Sequence, residues 1–109
     1  MGEMNESGYR ILKTQLFNEQ LRAIALYIAE NAQDAQPALK LLDEIEQCIE
    51  AMRYFPGRGA RPHDRRLRAL EYRFVTVGSY IVFYSYSDES HTVTVLAIVH
   101  SKQHYANIL

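Results

Sequence analysis

The chain has no tryptophan, one cysteine, three prolines and five glycines in 109 residues. The single cysteine, Cys48, excludes an intrachain disulfide and fits a reducing compartment. No apolar run approaches the roughly 18 residues that would suggest a membrane span, so no membrane partner is expected. The first residues, MGEMNESGYR, lack the basic and apolar segments of a secretory leader; secretion is not expected and a cytoplasmic location is. A phosphate-cradling loop is missing too. The segment GRGAR has the wrong form and follows a helix rather than a strand. Ser79, Ser85, Ser87, Ser90 and Ser101 all lack the strand–turn–helix setting of a nucleophile elbow. Internal repeats, low-complexity runs and linkers are absent. One domain over residues 9–109 is expected, after a disordered segment at residues 1–8.

Net charge is only −1, which gives no global footprint for nucleic acid. The charge is segregated, however. Residues 53–73 hold seven arginines (Arg53, Arg58, Arg61, Arg65, Arg66, Arg68 and Arg73) against Asp64 and Glu71, a local +5. The rest of the chain holds five Lys/Arg against eleven Asp/Glu, a balance of −6. Such a strip can steer an acidic partner or contact phosphates. It can equally be a solvated loop paired with nearby carboxylates. The use of Arg throughout, with no Lys, favours planar bidentate recognition.

Hydrophobic periodicity orders the elements. Tyr9–Lys13 alternates like a strand, and Thr14 can cap a helix with Phe17, Leu21, Ile24, Ala25 and Ile28 on one face. Asn31 is placed to end that helix. Asp34 or Gln36 can cap the next, with Pro37 in its first turn. Ala38, Leu41, Leu42, Ile45, Cys48, Ile49 and Met52 form its apolar stripe, opposite Asp43, Glu44, Glu46 and Glu50. Pro56, Gly57 and Gly59 stop it. Three strands follow, at 72–77, 80–86 and 92–99, joined by a Gly78-Ser79 hairpin turn and the turn 87–90. The expected fold is α+β: an N-terminal strand, an antiparallel helical hairpin, and a three-stranded antiparallel meander in a small sheet.

Tyr80, Tyr84 and Tyr86 share a parity and should face the same way if no bulge intervenes. That set can be a base-stacking platform or cross-strand packing; packing is favoured, because no RNA-binding signature accompanies it. Cys48 reads as a core thiol with a raised pKa, not a nucleophile. His100 and His104 are four apart, but a third ligand is missing, so no metal or cofactor is expected. His63 and His91 read as solvated loop residues.

Tyr27-Ile28, Phe55-Pro56 with Gly59, Tyr80-Ile81-Val82-Phe83-Tyr84, and Ile98-Val99-His100 with Ile108-Leu109 are each short and weak. Their order and spacing, over about Tyr9 to Leu109, resemble the RelE/ParE superfamily of bacterial toxins, and ParE more than RelE. The resemblance implies the toxin of a type II toxin–antitoxin pair. It further implies a cognate antitoxin, ParD-like or other, with which a hetero-oligomer can form, and DNA gyrase as target with no direct nucleic-acid contact. RelE-like nucleases use Lys and Arg on the sheet and a C-terminal Tyr; at the corresponding positions this chain has Thr76, Gln103 and Leu109. An RNase needs a positioned base and cation, so the missing set argues against RelE-type cleavage. The alternative is an mRNA interferase resembling YoeB or YafQ, for which Arg73, His63, His100, His104 and Tyr105 are the candidate catalytic set. A second alternative is a non-toxic relic that only binds antitoxin. In the leading reading no residue is catalytic. The candidate contacts to target or partner are then Arg58, Arg61, Arg65, Arg66, Arg68, Arg73, Lys102, Gln103 and Tyr105, and Lys102 to Leu109 is a candidate target-contacting tail.

Overall fold

The computed structural model of the chain describes residues 8–103. In order they form β1 (Arg10–Lys13), α1 (Gln15–Ala32), α2 (Gln36–Tyr54), a 3-10 turn (Pro56–Arg58), α3 (Arg65–Ala69), β2 (Arg73–Val77), β3 (Tyr80–Ser87) and β4 (Thr92–His100). The four strands make one sheet in the order β1-β4-β3-β2. The meander β2-β3-β4 is antiparallel, and β1 joins the outer side of β4 in parallel. This is the expected α+β architecture. Of residues 1–8, only Gly8 lies within the described part, at φ 68° against Arg53.

Local chemistry explains the boundaries. Thr14 caps α1, its Oγ1 accepting from the Phe17 amide at 3.0 Å. The helix runs past Asn31 to Ala32, one residue beyond the expected end. Gln33 turns left-handed there (φ 51°), and the amides of Gln33 and Asp34 reach back to Glu30 and Ala29. Asp34 Oδ1 accepts from the Gln36 amide at 3.1 Å, so the carboxylate helps start α2 although Ala35 is the formal cap. In the β2–β3 hairpin Gly78 takes the positive φ (59°) and Ser79 does not, the pattern of a type II′ turn.

The core lies between the helical hairpin and one face of the sheet. Phe17 of α1 and Leu41, Ile45, Ile49 and Met52 of α2 pack on Val82, Tyr84, Val93, Val95 and Ile98. Leu42 and Cys48, also assigned to the α2 stripe, are only half-buried. On the opposite face Leu67 of α3 covers Ile81, Phe83 and Val99. Tyr80, Tyr84 and Tyr86 do share the helix side, as their parity requires. The register shift falls on the partner strand: Phe83 pairs with Ala97 and Tyr84 with Val95, leaving Leu96 as an extra residue of β4. The bulge reverses the parity of β4, so Val95 and Ile98, three apart, both face the helices.

β4 also outruns β1, whose last pair is Lys13 with Val95. Side chains of α1 take over the unpaired backbone. Thr14 Oγ1 donates to the Leu96 carbonyl at 2.8 Å, and Gln20 Oε1 accepts from the Ile98 amide at 2.9 Å. Thr14 thus serves both the helix start and the bulge. Thr14→Ala is expected to cost about 2 kcal/mol, a lost cap plus a stranded carbonyl, while Thr14→Ser retains most of the stability. Urea unfolding of the two variants checks this; equal stability would remove the double role.

Candidate partner-binding surface

The loop after α2 is held by three separate devices. First, the Tyr84 phenol is fully buried beneath it, donating to the Pro56 carbonyl at 2.6 Å and accepting from the Gly59 amide at 2.9 Å. Burial pushes the Tyr84 phenol above its ordinary pKa, and its bond with Gly59 and the charge of Arg73 offset this in part. Second, Arg73 Nη1 donates to the Gly59 carbonyl at 2.9 Å and more weakly to that of Gly57 at 3.4 Å. Third, Ala60 pairs with Phe74 through two backbone bonds of 2.9 Å, adding a bridge to the edge of β2. Gly59 sits so close that a Cβ there would meet the Tyr84 hydroxyl at 2.6 Å and the Phe74 carbonyl at 2.8 Å. Only glycine fits this approach.

This loop opens the cationic strip, whose seven arginines divide by role. Arg53 is structural: its guanidinium grips Glu50 at 2.7 and 3.2 Å and the Tyr9 carbonyl at 3.1 Å. That pairing draws the Glu50 carboxyl below its ordinary pKa. Arg73 is half-buried, spent on the loop carbonyls, with its guanidinium 5.8 Å from the centre of the Tyr86 ring. Arg58, Arg61, Arg65, Arg66 and Arg68 are exposed. Arg65, Arg66 and Arg68 ride on α3, which Asp64 caps through the Leu67 amide (3.0 Å) and which the fully buried Leu67 fastens to the sheet. Among the described residues, the Arg61 and Arg68 guanidiniums make long contacts of 3.4 Å, to the carbonyls of Arg68 and Pro62.

Beside the strip lies a cleft of about 530 Å³. Arg61 and Arg73 line it together with Tyr86, Glu71, Asp88 and Glu89. Its charge is therefore mixed, not cationic. Next to it, Tyr9 stacks on His91 (centroids 4.0 Å apart) and donates its hydroxyl to Asp88. That bond to Asp88 raises the Tyr9 phenol above its ordinary pKa. His91, expected to be merely solvated, is exposed yet held in this stack at φ 58°.

The histidine set is not assembled. His100 ends β4, edge-on to Tyr80 at 5.4 Å, with Nδ1 accepting from the Lys102 amide at 3.1 Å. Gln103 Oε1 accepts from the His100 amide at 2.9 Å, and Lys102 and Gln103 are exposed. Arg73 pairs with Tyr84 whereas His100 pairs with Tyr80. Four residues along the strand and two strand spacings put Arg73 and His100 roughly 16 Å apart. His63 is exposed in the loop before α3. His104, Tyr105 and the rest of the expected contact tail lie outside the described residues. Among the described residues no cluster of three metal-ligating side chains occurs. Cys48 packs against the core, and burial raises its thiol pKa; the cause is burial, not the neighbouring carboxylates.

A family model described as the ParE toxin of the type II toxin–antitoxin system parDE matches residues 11–105. The chain belongs to the ParE toxin family. Among solved structures, the chromosomal ParDE system of P. aeruginosa is similar at a TM-score of 0.70 and 16% identity, covering 88% of this chain and 99% of that one. The RelBE2 toxin–antitoxin complex of Mycobacterium tuberculosis is similar at 0.58 and 20% identity, covering 85% and 91%. At these identities the two structures show the shared fold. No curated protein matches by sequence.

Within the ParE frame, the departures from RelE chemistry have locations. Thr76 is exposed on β2, and Gln103 folds back on the His100 amide. Sequence reasoning treated Phe55 only as part of a family motif. It is in fact 70% exposed, the most exposed of the large hydrophobic residues described, beside Tyr54 at 45%. The available signal was Pro56, which ends the helical periodicity just before Phe55 would have rejoined the apolar stripe.

Proposed function

We propose that this ParE-family toxin acts in the bacterial cytoplasm by binding DNA gyrase and is neutralised by a cognate antitoxin. The family match across residues 11–105 carries the reading. Three further observations support binding over RNA cleavage. The RelE-type cations are replaced at Thr76 and Gln103, Arg73 is committed to loop carbonyls, and Arg73 and His100 stand far apart.

One of the similar structures is a toxin–antitoxin complex and the other is of a toxin–antitoxin system, and this fold has surfaces suited to an antitoxin partner. β1 is an edge strand. The amide of Arg10 bonds to the His91 carbonyl just before β4 and that of Thr14 to Val95 of β4, so by alternation those of Ile11 and Lys13 point outward. An extended antitoxin segment can add there as a further strand. The helical hairpin offers exposed Leu16, Leu26 and Tyr27 for a helix. The exposed arginines around α3 would draw an acidic antitoxin segment.

The test pairs two assays on the purified toxin. Gyrase-dependent DNA cleavage is expected, with message left intact in a translating extract. Unchanged supercoiling at saturating toxin would defeat the gyrase reading, and cut message would promote the interferase. Harmless expression without antitoxin would identify a relic.

A further inference from the structure

We infer that the loop from Phe55 to Gly59 is a preformed contact element for the toxin's target, with Phe55 entering an apolar pocket on a protein and Arg58 meeting a carboxylate at its rim. The inference rests on the toxin reading but not on gyrase being the target.

The first observation is an imbalance between how firmly the loop is held and what it displays. Ending α2 requires little more than Pro56. Yet Tyr84, Arg73 and the Ala60–Phe74 bridge together fix the carbonyls of Pro56, Gly57 and Gly59 and the amide of Gly59. The Arg58 amide closes the turn on the Phe55 carbonyl at 3.2 Å. What this scaffold presents outward is Phe55 (70% exposed), Tyr54 and Arg58. The backbone of Phe55 has left the helix (φ −137°, ψ 67°), which releases its side chain from the core stripe that ends at Met52. An exposed ring contributes little to folding. On a rigid loop it loses little entropy on binding. Aromatic and Arg side chains are also the types that dominate interface hot spots.

The second observation selects the partner. Phe55 lies at the start of the cationic strip, whose next members Arg58 and Arg61 are exposed, so an acidic rim is complementary. An aromatic beside arginines also suits a stacked base. A nucleic acid, however, needs cations spaced along several phosphates. Here Glu71, Asp88 and Glu89 line the same cleft as Arg61 and Arg73, so the surface beside the loop is of mixed charge. A protein contact one ring and one guanidinium wide needs no such track.

The experiment induces wild type, Phe55→Ala, Arg58→Glu and a control, Leu39→Ala, in bacteria without antitoxin, and counts survivors. Leu39 is comparably exposed (53%) but lies near the start of α2; at 1.5 Å per residue it stands roughly 23 Å from the helix end. Phe55→Ala and Arg58→Glu are expected to weaken target binding by about 30-fold and restore growth, while Leu39→Ala arrests like wild type. Melting temperatures of the purified variants should stay within about 2 °C of wild type, as for surface substitutions. Full arrest by both loop variants overturns the inference, as does equal recovery by the control. So does a wild type that arrests nothing, or a loss in Phe55→Ala of single-stranded RNA binding that wild type shows by fluorescence anisotropy. Recovery in the loop variants while wild type leaves gyrase supercoiling untouched would retire the gyrase reading and keep this surface.

Discussion

Phe17→Ala is expected to destabilise the protein by about 3–5 kcal/mol, a large part of the roughly 5–15 kcal/mol that holds a small domain folded. The reason lies in how α1 is attached. Phe17 is its one fully buried residue; Leu21, Ile24, Ala25 and Ile28 are half-buried, and Leu26 and Tyr27 are exposed. The ring sits among Ile45, Ile49 and Met52 of α2 and the valines of β3 and β4, so its removal opens a cavity where both layers meet. The rest of the interface cannot collapse into it, because Thr14 and Gln20 tie α1 to the backbone of β4 on either side. Phe17→Leu, which refills most of the volume, should cost less than about 1.5 kcal/mol. Urea unfolding monitored by tyrosine fluorescence gives both values. A loss below about 1.5 kcal/mol for the alanine variant would mean that the polar ties, not the ring, hold α1 in place.

That arrangement also marks how far the sequence could be read. Thr14, the Gly78 turn and the order of strands and helices were legible because each depends on residues adjacent in the chain. The parity of Tyr80, Tyr84 and Tyr86 was legible for the same reason. The bulge at Leu96 was not: it is defined by the register against β3, and the side chains that satisfy it come from α1, some eighty residues earlier. The helix end was missed by one residue, because the left-handed glutamine that closes it, Gln33, has no compositional signature as strong as glycine's. In the candidate site, counting charges located the arginine strip but not the division within it. Arg53 and Arg73 differ from Arg58 and Arg65 only in which carbonyls and carboxylates the fold brings near them. Nor could periodicity show Phe55 as exposed, since it stands three residues after Met52, where the apolar stripe would continue if the helix did.

Tyr84→Phe is the sharper test of the clamp under that loop. The substitution keeps the ring, so no cavity forms, and removes one oxygen. The Pro56 carbonyl and the Gly59 amide, both on buried residues, then lose their partner. Two stranded backbone groups are expected to cost about 2–4 kcal/mol at neutral pH. The pH dependence supplies an independent check. Burial raises the Tyr84 phenol above its ordinary value near 10, so the unfolded chain ionises this residue before the native one does. Its contribution to stability is therefore complete below about pH 10 and declines as pH rises through the higher native value. The phenylalanine variant lacks this loss, while every other tyrosine titrates equally in both proteins. The gap between wild type and Tyr84→Phe should accordingly narrow from neutral pH to about pH 10.5. A gap that is constant with pH would mean the phenol ionises alike in both states and is not held as drawn. Arg73 would still grip the Gly59 carbonyl in the variant, so the loop should loosen without detaching. If Phe55 acts by being held ready, Tyr84→Phe should also weaken growth arrest more than Thr14→Ala, whose comparable loss of stability leaves the Tyr84 bonds to Pro56 and Gly59 in place.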